Sequence, residues 1–151
     1  MRTYLVVIDE TPEARVALRF AARRAAKTGG AVELLAVIAP QEFVQWGGVQ
    51  AAMEEEARLR AEALVAAAAG EIVDEAGIRP SITVDHGEPV EVVRKRLEGG
   101  TPVQALVLGA AVGGVPGPLV SHFTGNVSGD LPCPVMIVPG SLSDEALDRL
   151  S

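Results

Sequence analysis

The chain has 151 residues and a formal net charge of −7, with 48% apolar residues but only 3% aromatics. That length fits one domain with a real core, and the core must come from Val, Leu, Ile and Ala, which suits a parallel sheet buried under helices on both faces. The acidic balance excludes general nucleic-acid binding and docking on an anionic membrane.

Tyr4 to Ile8 is a continuous apolar run and reads as a buried strand. Thr11 is placed to cap a helix with Pro12 in its first position. Leu18, Ala21, Ala22 and Ala25 recur at helical spacing before Gly29-Gly30 ends the helix. Val32 to Ile38 is a second strand, interrupted only by Glu33. Pro40 to Gly48 reads as a loop holding Phe43 and Trp46, with packing on the domain as their expected use. The Ala-, Glu- and Arg-rich stretch from Gln50 to Ala76 is predicted as a long helix. Its expected buried face carries Leu59, Ala63, Ala66, Gly70 and Val73.

Ile82 to His86 is the third strand. The Gly87-Glu88-Pro89 turn leads into a short helix with a Val90, Val93 and Leu97 stripe. Ala105 to Leu108 is the fourth strand and Val135 to Val138 the fifth. Between them Val120, Phe123, Val127 and Leu131 fall on one stripe, which predicts a single helix from Pro118 to about Leu131. Residues 141–151 read as a helical tail to the 1–140 domain, with Ser143 as cap and Leu142 and Leu147 as a hydrophobic staple. Alternating strands and helices predict an α/β fold, a doubly wound parallel sheet with right-handed crossovers. No apolar run approaches a membrane span, and Cys133 is a lone thiol, so a reducing, cytoplasmic setting is expected.

Ligands of open α/β sheets sit beyond the carboxyl ends of the strands. That rule selects Asp9-Glu10-Thr11, Val37-Ile38-Ala39 and the loop from Gly109. The loop runs Gly109 to Pro118, with Gly113, Gly114 and Gly117 inside it. A glycine-rich turn feeding a helix is a ready anion site, with Leu119, Val120 and Ser121 as N–H donors because Pro118 has none. A ligand-free surface loop accounts for the same residues, and both readings stay open. Asp9 is placed either to meet a ribose hydroxyl or to cap the first helix. His122 falls in the first turn of the predicted helix, where it would face a bound phosphate. His86 and His122 lack partners at metal-ligand spacing, so no metal site is expected beyond a nucleotide-associated Mg. Cys133, flanked by prolines, reads as a small buried hydrophobe.

The chain resembles the universal stress protein family from Tyr4 to Val138. The resemblance rests on Val7-Ile8-Asp9-Glu10-Thr11, Leu34 to Ile38, Gly87-Glu88-Pro89, Val107-Leu108-Gly109 and Cys133-Pro134-Val135. It implies five strands in the order 3-2-1-4-5, as in the adenine-nucleotide α-hydrolase-like fold, and a homodimer paired through the fifth strands, Val135 to Val138. Many members bind ATP through Gly-x2-Gly-x9-Gly-Ser/Thr after strand four. Gly109 matches the first glycine, the second falls on Val112 beside Gly113, and without gaps the closing pair falls on Ser121-His122; with a gap, Gly125-Asn126 would serve. Carried over by residue, the resemblance implies that Asp9 and Thr11 meet the ribose or adenine end. It implies that Val37 meets adenine through its backbone. Gly109, Gly113, Gly114 and Gly117, with Ser121 and His122, would meet the phosphates. The incomplete motif implies weak binding of ATP or AMP.

Three functions compete: a nucleotide-responsive stress regulator, an interaction module of the same fold that binds no nucleotide, and an ATP-using enzyme. The enzyme ranks last. Asp9-Glu10-Thr11-Pro12 stands where a Ser-Gly-Gly-x-Asp-Ser phosphate loop would be needed, and no nucleophile elbow or base follows. No catalytic residue is assigned.

Overall fold

Alternation explains the unbroken apolar run at the start of the chain. In β1 (Thr3–Ile8) the side chains of Tyr4, Val6 and Ile8 enter one core cluster and those of Leu5 and Val7 enter another. A strand covered on both faces needs no polar positions. The computed structural model describes residues 2–40 and 47–151. Its elements follow as α1 (Pro12–Thr28), β2 (Ala31–Ile38), α2 (Gly47–Ala76), β3 (Ser81–His86), α3 (Pro89–Glu98), β4 (Ala105–Ala110), α4 (Pro118–Phe123), β5 (Val135–Pro139) and α5 (Asp144–Leu150). The five strands form one sheet in the order β3-β2-β1-β4-β5, every pair parallel. The expected doubly wound sheet and its strand order are what the structure shows.

One core lies under α1, α2 and α5, where Leu18, Ala21, Ala25, Ala68, Ile72 and Leu147 meet Tyr4, Val6 and Leu34. The other lies under α3 and α4, where Val92, Val93, Val120 and Phe123 meet Leu5, Leu35 and Leu106. Local chemistry sets the helix ends. The Thr11 hydroxyl accepts the Ala14 N–H at 3.3 Å, and Gly29 closes α1 at φ 67°. Ser143 caps α5 by accepting from Ala146 N–H at 3.2 Å, and Leu142 and Leu147 both join the first core. Arg19, Arg23 and Lys27 of α1 bind Asp144 and Asp148 of α5, so the tail is held on the body.

Two expectations are corrected. The long helix α2 starts at Gly47, not Gln50, and buries a different face. Val65, Ala68 and Ile72 are buried, whereas Leu59 is 52% and Val73 38% exposed. Apolar residues run around much of this Ala-rich helix, so a 3.6-residue stripe can be drawn on the wrong side. Phe43 and Trp46 lie outside the described residues.

The predicted helix from Pro118 to Leu131 is broken. After α4 the Thr124 hydroxyl donates to the Val120 carbonyl at 2.7 Å, and Gly125 N–H turns to His122 O at 3.2 Å. A single 3₁₀ turn, Ser128–Asp130, follows. The apolar stripe survives in packing, with Val120 and Phe123 buried and Val127 and Leu131 packed against them.

A buried ion pair ties the layers. Glu33 on β2 is 7% exposed, and its carboxylate accepts from Arg96 Nε and Nη2 on α3 at 2.7 and 2.6 Å. The remaining Arg96 nitrogen donates to the carbonyls of Gly99 and Thr101 at 3.3 and 3.0 Å. The Glu33 hydrogen bonds, opposed by burial, hold the Arg96 pKa above that of an ordinary arginine.

Candidate functional site

The carboxyl ends of β1, β2 and β4 share one edge of the sheet, and Asp9 stands at its centre. Asp9 is exposed, and its Oδ1 accepts the Thr11 N–H at 2.9 Å and the Thr11 hydroxyl. Thr11 caps α1 in turn, so Asp9 braces the cap. Asp9 also lines all three cavities at this edge. The capping and site readings of Asp9 are therefore compatible.

The first cavity, about 340 Å³, lies between the ends of β1 and β2 and the inner face of α2. Ala36, Val37, Ile38 and Ala39 wall one side, and Ala57, Ala61 and Leu64 the other. Asp9, Glu10 and Arg60 complete it, with Arg60 Nε 3.8 Å from Glu10 Oε1. The second, about 690 Å³, opens between α1 and α2. Glu71 lies there between Arg15 and Arg19, each at 2.9 Å. Burial works against the Arg19 cation, but Glu71, Glu75 and Asp144 together keep its pKa raised. The third, about 180 Å³, lies under the Gly109 loop.

That loop is folded back onto the sheet edge. The Ala111 N–H donates to the Pro116 carbonyl at 3.1 Å and closes it. Gly113, Gly114 and Gly117 have φ of 67°, 88° and 120°, the left-handed region glycine tolerates, with open space where a Cβ would stand. These glycines shape the turn. Gly109 has another role: a Cβ there would lie 2.1 Å from the Glu13 carbonyl oxygen, so β4 and the first turn of α1 can pack only because Gly109 lacks one.

Several expected phosphate contacts are not brought together. Ser121 N–H is spent on Gly117 O at 3.0 Å, which leaves Leu119 and Val120 as the open donors of α4. The helix itself has only six residues. His122 does not line the loop cavity. It packs edge-on against Phe123, centroids 4.9 Å apart, and lines a separate cleft of about 440 Å³ with Arg94, Leu97 and Asp130. The reason is helical geometry: Val120 and Phe123 take the inward face, which turns His122 towards α3.

Arg60 and Arg15 were missed by sequence reasoning. Both lie on exposed helix faces, and no local motif marks them. Among the described residues no group of three or more His, Cys, Asp or Glu is placed to hold a metal ion, and no helix is long and apolar enough to cross a membrane. Burial pushes the Cys133 thiol up, against a hydrogen bond from the Leu106 backbone, which disfavours a reactive thiolate.

An adenine nucleotide can be tested against these shapes. Pockets for small ligands run from about 300 to 1,000 Å³. The cavity beside Val37 falls in that range; the one under the glycine loop does not.

The comparisons agree with the fold. The sequence model of the universal stress protein family matches residues 1–139. No curated protein sequence matches the chain. The structure is similar to the universal stress protein UspA from Lactobacillus plantarum, with a TM-score of 0.77 at 16% identity, covering 91% of this chain and 97% of that one. It is also similar to the universal stress protein from Archaeoglobus fulgidus in complex with dAMP, with a TM-score of 0.59 at 17% identity over 91% and 96% of the two chains. A third similar structure is a universal stress protein in complex with cAMP, with a TM-score of 0.56 at 18% identity over 93% and 98%.

Proposed function

The chain belongs to the universal stress protein family, and from that premise we propose that it is a stress-response regulatory domain that binds an adenine nucleotide weakly and does not turn it over. The cavity of about 340 Å³ at the ends of β1 and β2 carries the reading. Ala36 to Ala39 at the end of β2 and Ala57, Ala61 and Leu64 of α2 give it a largely apolar lining, which suits a flat base, and Asp9 at its rim suits a ribose hydroxyl. Two structures of similar fold are described in complex with cAMP and dAMP.

Weakness follows from the loop. Two open N–H donors remain on α4, and of the expected phosphate contacts Gly113, Gly114, Ser121 and His122 do not line the loop cavity, whereas Gly109 and Gly117 do. Each hydrogen bond lost to a phosphate oxygen lowers affinity by roughly tenfold to a hundredfold. Hydrolysis needs a positioned base and charge stabilisation of the phosphates. Asp9 and Glu13 line the loop cavity, and among the described residues no Lys, Arg or His lines it to stabilise charge on the phosphates.

Titration of the purified protein with ATP by calorimetry is expected to give a dissociation constant of about 1 mM. The His122→Ala variant should leave it unchanged, because His122 faces another cleft. A low-micromolar constant would overturn the reading, as would turnover abolished by Asp9→Ala.

The domain is read as a cytoplasmic homodimer. β5 is an edge strand with apolar Val135, Met136, Ile137 and Val138, and such edges are commonly paired or covered. Pairing with its copy would continue the sheet. Light scattering at micromolar concentration is expected to return twice the chain mass; a monomer rejects the dimer.

A further inference from the structure

The cleft that His122 lines takes no part in the nucleotide reading, and we propose that it binds a small organic cation with an apolar body, of the arylalkylamine class. The cleft lies between α3 and the chain that follows α4, and its volume of about 440 Å³ is within the range of small-ligand pockets. The end of α4 makes it. Thr124 and Gly125 close the helix by local hydrogen bonds, and the chain beyond brings Val127, Asp130 and Leu131 into one lining with Leu97 and Phe123. The ionisable side chains of that lining are Arg94, Glu98, His122 and Asp130.

Two features point to a cation on an apolar body. The first is the floor: Leu97, Phe123, Val127 and Leu131 all belong to the apolar cluster under α3 and α4. The second is charge. Arg94 is already held between two carboxylates, Glu91 and, at 3.4 Å, Glu98. Asp130 has no such partner. Among the described residues neither an ion pair nor a hydrogen bond engages its carboxylate, and Arg94 is the single Lys or Arg in the lining. With His122 neutral, Glu98 and Asp130 stand against Arg94 alone, an excess of one negative charge. An ammonium group on an apolar ring answers both features, and a neutral imidazole keeps one ring nitrogen to accept its N–H. A carboxylate on the same ring would meet Asp130 and Glu98 with only a doubly paired arginine to offset them.

The test titrates the isotope-labelled full chain with phenethylamine, phenethyl alcohol and phenylpropionate at neutral pH, followed by NMR. All three share one ring and differ in charge. The amine is expected to bind about threefold to fivefold more tightly than the alcohol, the increment of an exposed ion pair, and phenylpropionate most weakly. Amide shifts should centre on Leu97, Phe123, Val127 and Leu131 and leave Asp9 and Val37 unmoved. Asp130 is exposed, so Asp130→Asn should melt as the parent does. That variant should abolish the advantage of the amine and leave the alcohol unchanged. Added NaCl should weaken the amine alone. The alcohol binding as tightly as the amine overturns the proposal, as does an advantage that survives Asp130→Asn. Shifts centred on the sheet edge, or no binding at about 20 mM amine, overturn it too.

Discussion

Replacing Glu33 with Ala is expected to lower stability by about 3 kcal/mol, near the lower end of what breaking a buried ion pair costs. The pair joins β2 to the last turn of α3 through two hydrogen bonds, and its side chains are 10% and 17% exposed. Without the carboxylate, the Arg96 cation is left against an apolar layer with only the Gly99 and Thr101 carbonyls. Its partial exposure keeps the cost from being larger. For a domain of this size the loss is a fall in melting temperature of roughly 6–12 °C. Exchanging both partners for apolar residues, Glu33→Met with Arg96→Leu, should recover most of the loss, because the desolvation of both charges disappears with them. A single Glu33→Ala variant that melts within about 1 °C of the parent would show that the pair carries no net stability.

Gly109→Ala is expected to be nearly as damaging, by about 3 kcal/mol at the upper end of overpacking costs. The atom that a new Cβ meets at 2.1 Å is the Glu13 carbonyl oxygen, with the Glu13 carbonyl carbon at 2.5 Å and Ala14 N at 3.1 Å. These are backbone atoms of a capped helix turn, so no side-chain rotation relieves the clash. The whole first turn of α1 must move off the end of β4. Gly113→Ala is the contrast: it meets no atom, and pays only the left-handed backbone cost of about 1–2 kcal/mol. Comparing the two melting curves without ligand separates a packing role for Gly109 from a phosphate role. Equal melting temperatures for both variants would reject the packing role.

The fold was legible where one residue type settles a local choice. Thr11-Pro12, Gly29 and Ser143 each set a helix end by capping chemistry that needs no distant partner. The apolar runs of β1, β2 and β4, short and bounded by turn residues, read as strands buried on both faces. Legibility failed where several faces or partners were equally good. The α2 stripe through Leu59 and Val73 was as regular as the true one through Val65, Ala68 and Ile72, and only the sheet decides between them. The stripe from Val120 to Leu131 was right as a buried set and wrong as a helix, since Thr124 and Gly125 end the ladder by local hydrogen bonds. At the site, Asp9 and Val37 line one cavity, whereas Gly109 is packed against α1 and His122 against Phe123. Those outcomes depend on contacts between segments far apart in the chain, as does the pairing of Glu33 with Arg96, which no spacing rule announces.

The position of β1 in the middle of the sheet has a consequence for how the chain acquires its structure. β1 pairs with β2 close by, Tyr4 against Val32, but on its other side Tyr4 meets Ala105. During synthesis the first strand can gain one neighbour early, while its second side waits for most of the chain. Until β4 arrives, that side of β1 offers open backbone donors and acceptors beside Leu5 and Val7, which the finished core buries. Closing so distant a pairing costs chain entropy before any burial rewards it, so the step that docks β4 beside β1 is a slow one. Until that docking, the unpaired side of β1 is an edge open to pairing with a wrong partner.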